Sequence, residues 1–101
     1  MKFVLLHDDT INRTGRDKNG DLIPEPVNIF DITYEEALNY DVGIWFSKKF
    51  KGTKIPLLED VLKLVSGTGI KLKIDNKFRR FTQEQKEAFF EFLKRNHKEI
   101  L

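Results

Sequence analysis

The sequence has no cysteine, which excludes disulfides and thiolate metal sites and is compatible with a reducing compartment. It also lacks a strong charge bias. Its 18 Lys and Arg against 16 Asp and Glu leave a formal net charge of +2. Domains that bind duplex nucleic acid usually carry a larger basic excess, so no nucleic-acid partner is expected. No apolar run approaches the ~20 residues that a membrane-spanning helix needs. No signal-peptide pattern is visible, because Met1-Lys2 leads straight into the first apolar run, and the expected location is cytoplasmic. There is no internal repeat and no low-complexity segment. Nothing in the sequence bears on oligomeric state.

What is present is globular in composition. The chain has 101 residues, 40% apolar and 34% charged, enough for one small domain. Phe3-Val4-Leu5-Leu6 reads as a buried strand. It stops where His7-Asp8-Asp9 begins, so a histidine and two carboxylates sit just past its C-terminal end. In parallel α/β folds, that end collects ligands and catalytic groups. Residues 7–32 form a long polar connection with turn signals at Asn19-Gly20, Pro24 and Pro26.

Helices follow. Thr33 and Glu36 form a capping box, which predicts a helix from about Tyr34 to Tyr40. Leu58, Val61, Leu62 and Val65 fall at helical spacing and predict a helix over 58–65, ended by Gly67 and Gly69. Ile70-Lys71-Leu72-Lys73-Ile74 alternates with period two and reads as a second strand. Thr82 and Gln85 form another capping box, opening a helix to about Asn96 with Ala88, Phe89, Phe92 and Leu93 on its apolar face. Trp45-Phe46 could stack on a ligand, but an aromatic pair in a short linker is more often core, so it is expected to anchor a core. His97, near the end of the last helix, is expected at the surface.

The octapeptide His7-Asp8-Asp9-Thr10-Ile11-Asn12-Arg13-Thr14 resembles a signature of the glycerophosphodiester phosphodiesterase family, in which a strand runs into His-Asp-x-Thr-Leu-x-Arg-Thr. Three further blocks keep the family's order. Ile32-Thr33-Tyr34-Glu35-Glu36-Ala37-Leu38 is similar to its Leu-Thr-x-Glu-Glu-Leu. Asp41-Val42-Gly43-Ile44-Trp45-Phe46 is similar to its Asp-x-Gly-x-Trp-Phe. The run Gly52 to Leu62 is similar to its Gly-x-x-Ile-Pro-x-Leu-Glu-Glu-Val-Leu. The resemblance covers roughly residues 2–78.

The resemblance implies an α/β fold, a TIM-type (β/α)8 barrel. Such barrels run to about 250 residues. The family's earlier motifs, His-Arg-Gly and a Glu-x-Asp strand, do not occur here. The chain is therefore expected to be a partial domain, residues 1–101, without the N-terminal strands and the C-terminal half of the barrel. It would hold about two parallel strands, side by side, with a crossover and flanking helices.

The implied activity is metal-dependent hydrolysis of a small glycerophosphodiester to an alcohol and glycerol 3-phosphate, with the isolated fragment inactive. His7 would be one of two catalytic histidines. A histidine titrates in the right range for acid–base work near neutrality. Asp8 would orient His7 or its loop, and Arg13 would be a supporting ion-pair residue. Leu72-Lys73-Ile74-Asp75-Asn76-Lys77 resembles the family's Leu-Asn-Ile-Glu-Ile-Lys strand. By that match Asp75 would bind a divalent ion, Mg²⁺ or Ca²⁺, and Lys77 would face the substrate phosphate. Two residues apart on an extended strand, they would share a face, with Lys73 beside them. Asp75 is one methylene shorter than the family's glutamate, and Asn76 replaces an apolar residue.

Two other readings compete. A non-catalytic descendant of the same fold would bind phosphate or another domain. Separately, Asp17-Lys18-Asn19-Gly20-Asp21 opens like an EF-hand calcium loop. Leu22 and Asn28 stand where that loop needs glycine and glutamate, so a plain turn is expected.

Overall fold

The structure, a computed structural model, describes residues 1–75 and 77–100. It divides into two units. One is Met1–Phe3 with Leu57–Leu101, and the other is Val4–Pro56.

The first unit is built on two helices, α2 (Leu58–Val65) and α3 (Gln83–Arg95). Helix α2 has no side-chain cap, but Glu59 and Asp60 place negative charge in its first turn, where the helix dipole favours it. It ends before Gly67, whose φ of +78° suits glycine and few other residues. Helix α3 opens on the expected capping box. The Gln85 N–H donates to Thr82 Oγ1 at 3.1 Å, and the Thr82 N–H donates to Gln85 Oε1 at 2.8 Å. Leu58 and Leu62 of α2 bury their side chains against Phe89 and Phe92 of α3. The Phe3 ring lies 5.2 Å from Phe89 and 5.3 Å from Phe92, and Leu72 and Ile74 pack on the same cluster. The helical spacing in the sequence thus names Leu58, Leu62, Phe89 and Phe92 correctly, whereas Val61, Val65 and Ala88, expected on the same faces, are only half-buried.

The expected pair of parallel strands does not form. Among the described residues there are only isolated bridges. Hydrogen-bonding partners explain why. The Leu5 N–H donates to the Pro56 carbonyl, but proline has no N–H to return. Phe3 accepts from the Leu58 N–H, where the chain is already entering a helix. A ladder cannot propagate through either position. Leu72 makes a single parallel bridge to Ile100, and its N–H donates to Glu99 O at 2.7 Å. The period-two pattern survives only as burial. Leu72 and Ile74 are half-buried, while Lys71, Lys73 and Asp75 are exposed.

The second unit has little regular structure. Helix α1 (Tyr34–Ala37) has the Thr33–Glu36 capping box but is shorter than the spacing predicts. Asp41 stops it from running on. The Asp41 backbone exchanges both hydrogen bonds with Arg16, at 2.8 and 2.9 Å, and draws the chain out of helical geometry. Ile11, 1% exposed, is the centre of this unit. A second antiparallel bridge joins Thr10 to Asn28. Asn12 reinforces it with its side chain. Its Nδ2 donates to the carbonyls of Ile23 and Glu25, and its Oδ1 accepts from the Val27 N–H. The segment it holds carries Pro24 and Pro26, which have no N–H of their own to donate. Asp17 closes the expected plain turn, because its Oδ1 accepts from the N–H groups of Asn19 and Asp21. No helix among the described residues is long and apolar enough to cross a membrane.

Candidate functional site

His7, Asp8 and Arg13 are brought together in the second unit. His7 Nδ1 lies 2.9 Å from Asp8 Oδ1. Arg13 approaches the same carboxylate with two nitrogens, Nε at 2.7 Å from Oδ2 and a terminal nitrogen at 3.1 Å from Oδ1. This forked contact is the stronger form of an arginine–carboxylate pair. The Arg13 hydrogen bonds, then that of His7, hold the Asp8 carboxyl well below the usual carboxylate range. Asp8 in turn raises the Arg13 guanidinium.

An ionised Asp8 can only accept, so Nδ1 of His7 carries the proton that faces it. In a neutral ring the other nitrogen, Nε2, is then unprotonated. The His7 side chain is 90% exposed, so the ring is open to solvent. An open, oriented imidazole with one basic nitrogen can take or give a proton at a bound molecule.

Arg13 also reaches the next loop. Its guanidinium carbon lies 6.0 Å from the centre of the Trp45 ring. That loop, residues 42–53, is closed at its neck by Asp41, which is 8% exposed. Asp41 Oδ1 accepts from the N–H groups of Gly43 and Ile44 at 2.8 and 2.9 Å, and Oδ2 accepts from Gly52 at 2.6 Å. The Val42 N–H donates to Thr53 O across the same neck. A Cβ at Gly43 would run into the Phe50 carbonyl and the Thr53 side chain. Burial pushes the Asp41 carboxyl up, but the Gly52, Gly43 and Ile44 N–H groups and the nearby Lys54 outweigh it, and the net direction is down. Sequence reasoning assigned Asp41 no role. The signal was there, because Asp-x-Gly is a sequence in which the carboxylate caps backbone amides ahead of it.

The sequence expectation for Trp45-Phe46 needs correction. Both rings are exposed, Trp45 at 41% and Phe46 at 71%, and they stack edge to face with each other at 5.8 Å rather than anchoring a core. The Trp45 indole N–H is satisfied within the loop, by Val42 O at 3.1 Å.

Asp75 and Lys77 lie in the first unit, so the predicted site residues are divided between the two units. The shared strand face does not hold at Lys77. Its φ of −102° and ψ of 40° are not extended, and it caps a short 3-10 turn, Phe78–Arg80. Asn76 lies outside the described residues. Asp75 is exposed and Lys77 half-buried. Among the described residues no group of three or more His, Asp or Glu side chains is gathered closely enough to hold a metal ion.

The backbone matches a solved structure from Silicibacter pomeroyi DSS-3, provisionally named a glycerophosphoryl diester phosphodiesterase. The TM-score is 0.67 over 94% of this chain and 39% of that one, at 20% identity, so the likeness is one of fold. The match in sequence is more specific. A glycerophosphodiester phosphodiesterase of Caldanaerobacter subterraneus subsp. tengcongensis is 35% identical over 75 residues, which is 74% of this chain and 28% of that protein. YhdW of Bacillus subtilis (strain 168), provisionally named for the same activity, is 39% identical over 62 residues, 61% of this chain and 22% of that protein. The chain therefore spans well under half the length of the relatives it matches. The sequence model of the glycerophosphoryl diester phosphodiesterase family matches residues 1–100. The chain belongs to that family.

Proposed function

We propose that this chain is part of a TIM-type barrel enzyme that hydrolyses a small glycerophosphodiester to an alcohol and glycerol 3-phosphate. The observation that carries the proposal is the His7–Asp8–Arg13 cluster, with its solvent-open imidazole oriented by an ionised carboxylate. In this reading His7 transfers a proton to or from the reacting oxygen through Nε2. Asp8 holds the ring in that tautomer, and Arg13 holds Asp8. Lys77 is assigned, from the motif it belongs to, to offsetting charge on the phosphate oxygens in the complete enzyme.

A divalent ion, Mg²⁺ or Ca²⁺, would neutralise phosphate charge in such an enzyme. The described residues do not by themselves fit one. Asp75 offers a single carboxylate, whereas these ions take about six or more oxygen ligands. Metal dependence is therefore proposed for the complete enzyme, with Asp75 as one ligand among others, and no step here is routed through the ion.

The test is hydrolysis of glycerophosphocholine by the full-length protein that carries this chain. His7→Ala is expected to lower kcat by roughly 10²–10⁴-fold, the range for a lost acid–base group. Asp75→Asn is expected to raise the metal concentration needed for activity. A His7→Ala protein with unchanged turnover would remove His7 from the mechanism. A full-length protein that binds phosphate but turns nothing over would favour the non-catalytic reading.

A further inference from the structure

The loop at residues 42–53 presents aromatic rings and lysines together at the surface. Trp45, Phe46 and Phe50 are 41%, 71% and 41% exposed. The rings form one run, with Phe46 5.8 Å from Trp45 and 5.8 Å from Phe50. Lysines interleave with them. Lys48, Lys49 and Lys51 are all exposed, and Lys49 Nζ sits 5.5 Å from the Phe50 ring centre. No acidic residue occurs between Val42 and Leu58. The one carboxylate at the loop, Asp41, is turned inward onto three backbone N–H groups.

We propose that this loop is a contact surface for an anionic lipid bilayer. Phe46 and Trp45 enter the headgroup–acyl boundary, and Lys48, Lys49 and Lys51 meet the lipid phosphates. Charge complementarity selects the partner's sign. The aromatics select a bilayer, because Trp at the membrane–water boundary beside lysines is the usual composition of an interfacial anchor. Phe46 has no polar handle and is the most exposed of the three rings, so it suits a fluid apolar phase. The Asp41 clamp means the loop is already ordered, so binding does not have to order it. A surface loop with three lysines and two inserted rings makes a reversible, salt-sensitive contact and not a permanent anchor. This inference does not depend on His7 being catalytic.

Trp45 is the only tryptophan in the chain, so its emission reports on this loop. The experiment titrates the 101-residue chain with phosphatidylcholine vesicles, with and without phosphatidylglycerol. With phosphatidylglycerol at low salt, Trp45 emission should shift to the blue and be quenched by brominated acyl chains. Molar salt should reverse the shift. Phe46→Ser should weaken partitioning by about tenfold or more. Lys48→Gln combined with Lys49→Gln should weaken binding to anionic vesicles and leave apolar contacts intact, with far-UV circular dichroism confirming the fold. An unshifted spectrum with anionic vesicles, equal binding to neutral ones, or variants that bind like the parent would overturn the proposal. So would binding to polyglutamate without binding to vesicles, which would point to an acidic protein partner.

Discussion

Asp41 does with one side chain what a pair of strands does with many peptide groups. Its two oxygens accept from three backbone N–H groups and close a loop that has no regular structure. Asp41→Ala would leave those donors short of partners in a buried setting, at a cost of roughly 2–4 kcal/mol. Urea unfolding followed by Trp45 emission measures this, and an unchanged midpoint would rule it out. The sign with pH follows from the direction of the shift. The carboxyl is lower in the folded state, so its contribution is present above the unfolded value of about 3.9 and is lost as the pH falls through the folded value. Asp8 behaves in the same sense because Arg13 and His7 hydrogen-bond to its ionised form. Its carboxyl carbon, followed by NMR, should titrate below the ordinary aspartate range. In Arg13→Ala it should move back towards that range. If it does not, the forked pair is not what holds Asp8.

At the scale of elements, caps and cores separate cleanly. Thr82→Ala removes the reciprocal bonds that open α3 and should cost about 1 kcal/mol. Leu62→Ala empties a position 3% exposed between α2 and α3 and should cost about 2–5 kcal/mol. Thermal melts of the two variants should rank in that order. These two helices were legible in the sequence because their signals are local. A capping box spans four residues, and an apolar stripe repeats within two turns. The strands were not, because a strand is a relation between distant segments. Nothing in Phe3–Leu6 announces that one potential partner is proline and the next a helix start. Helix α1 shows the same limit, since its early end comes from Arg16, which pairs with Asp41 from far back in the chain.

For the whole molecule, the described residues supply one imidazole and one exposed carboxylate of the proposed chemistry, with no gathered metal donors. The 101-residue chain on its own is therefore expected to show no Mg²⁺- or Ca²⁺-stimulated hydrolysis of glycerophosphocholine. Turnover by this chain alone at an enzymatic rate would overturn that expectation. The half of the candidate site that was legible, His7, Asp8 and Arg13, is contiguous enough for a motif to carry its geometry. The Asp75–Lys77 face was not legible, because it assumed extended backbone through Lys77, where the chain instead turns into Phe78–Arg80. Trp45 and Phe46 were misread for a related reason. Residue type suggests burial, but a loop pinned at its neck can hold rings out in water.

The Asn12 side chain makes a large arrangement depend on a single atom. Its amide nitrogen feeds the carbonyls of Ile23 and Glu25, and its oxygen accepts from Val27. Asn12→Asp would exchange that nitrogen for an oxygen that can only accept, and would set a negative charge against two carbonyls. The proline-bearing segment 23–27 would keep the Val27 bond and lose the other two. One donor atom, with no change of shape, thus separates a held segment from a loosened one.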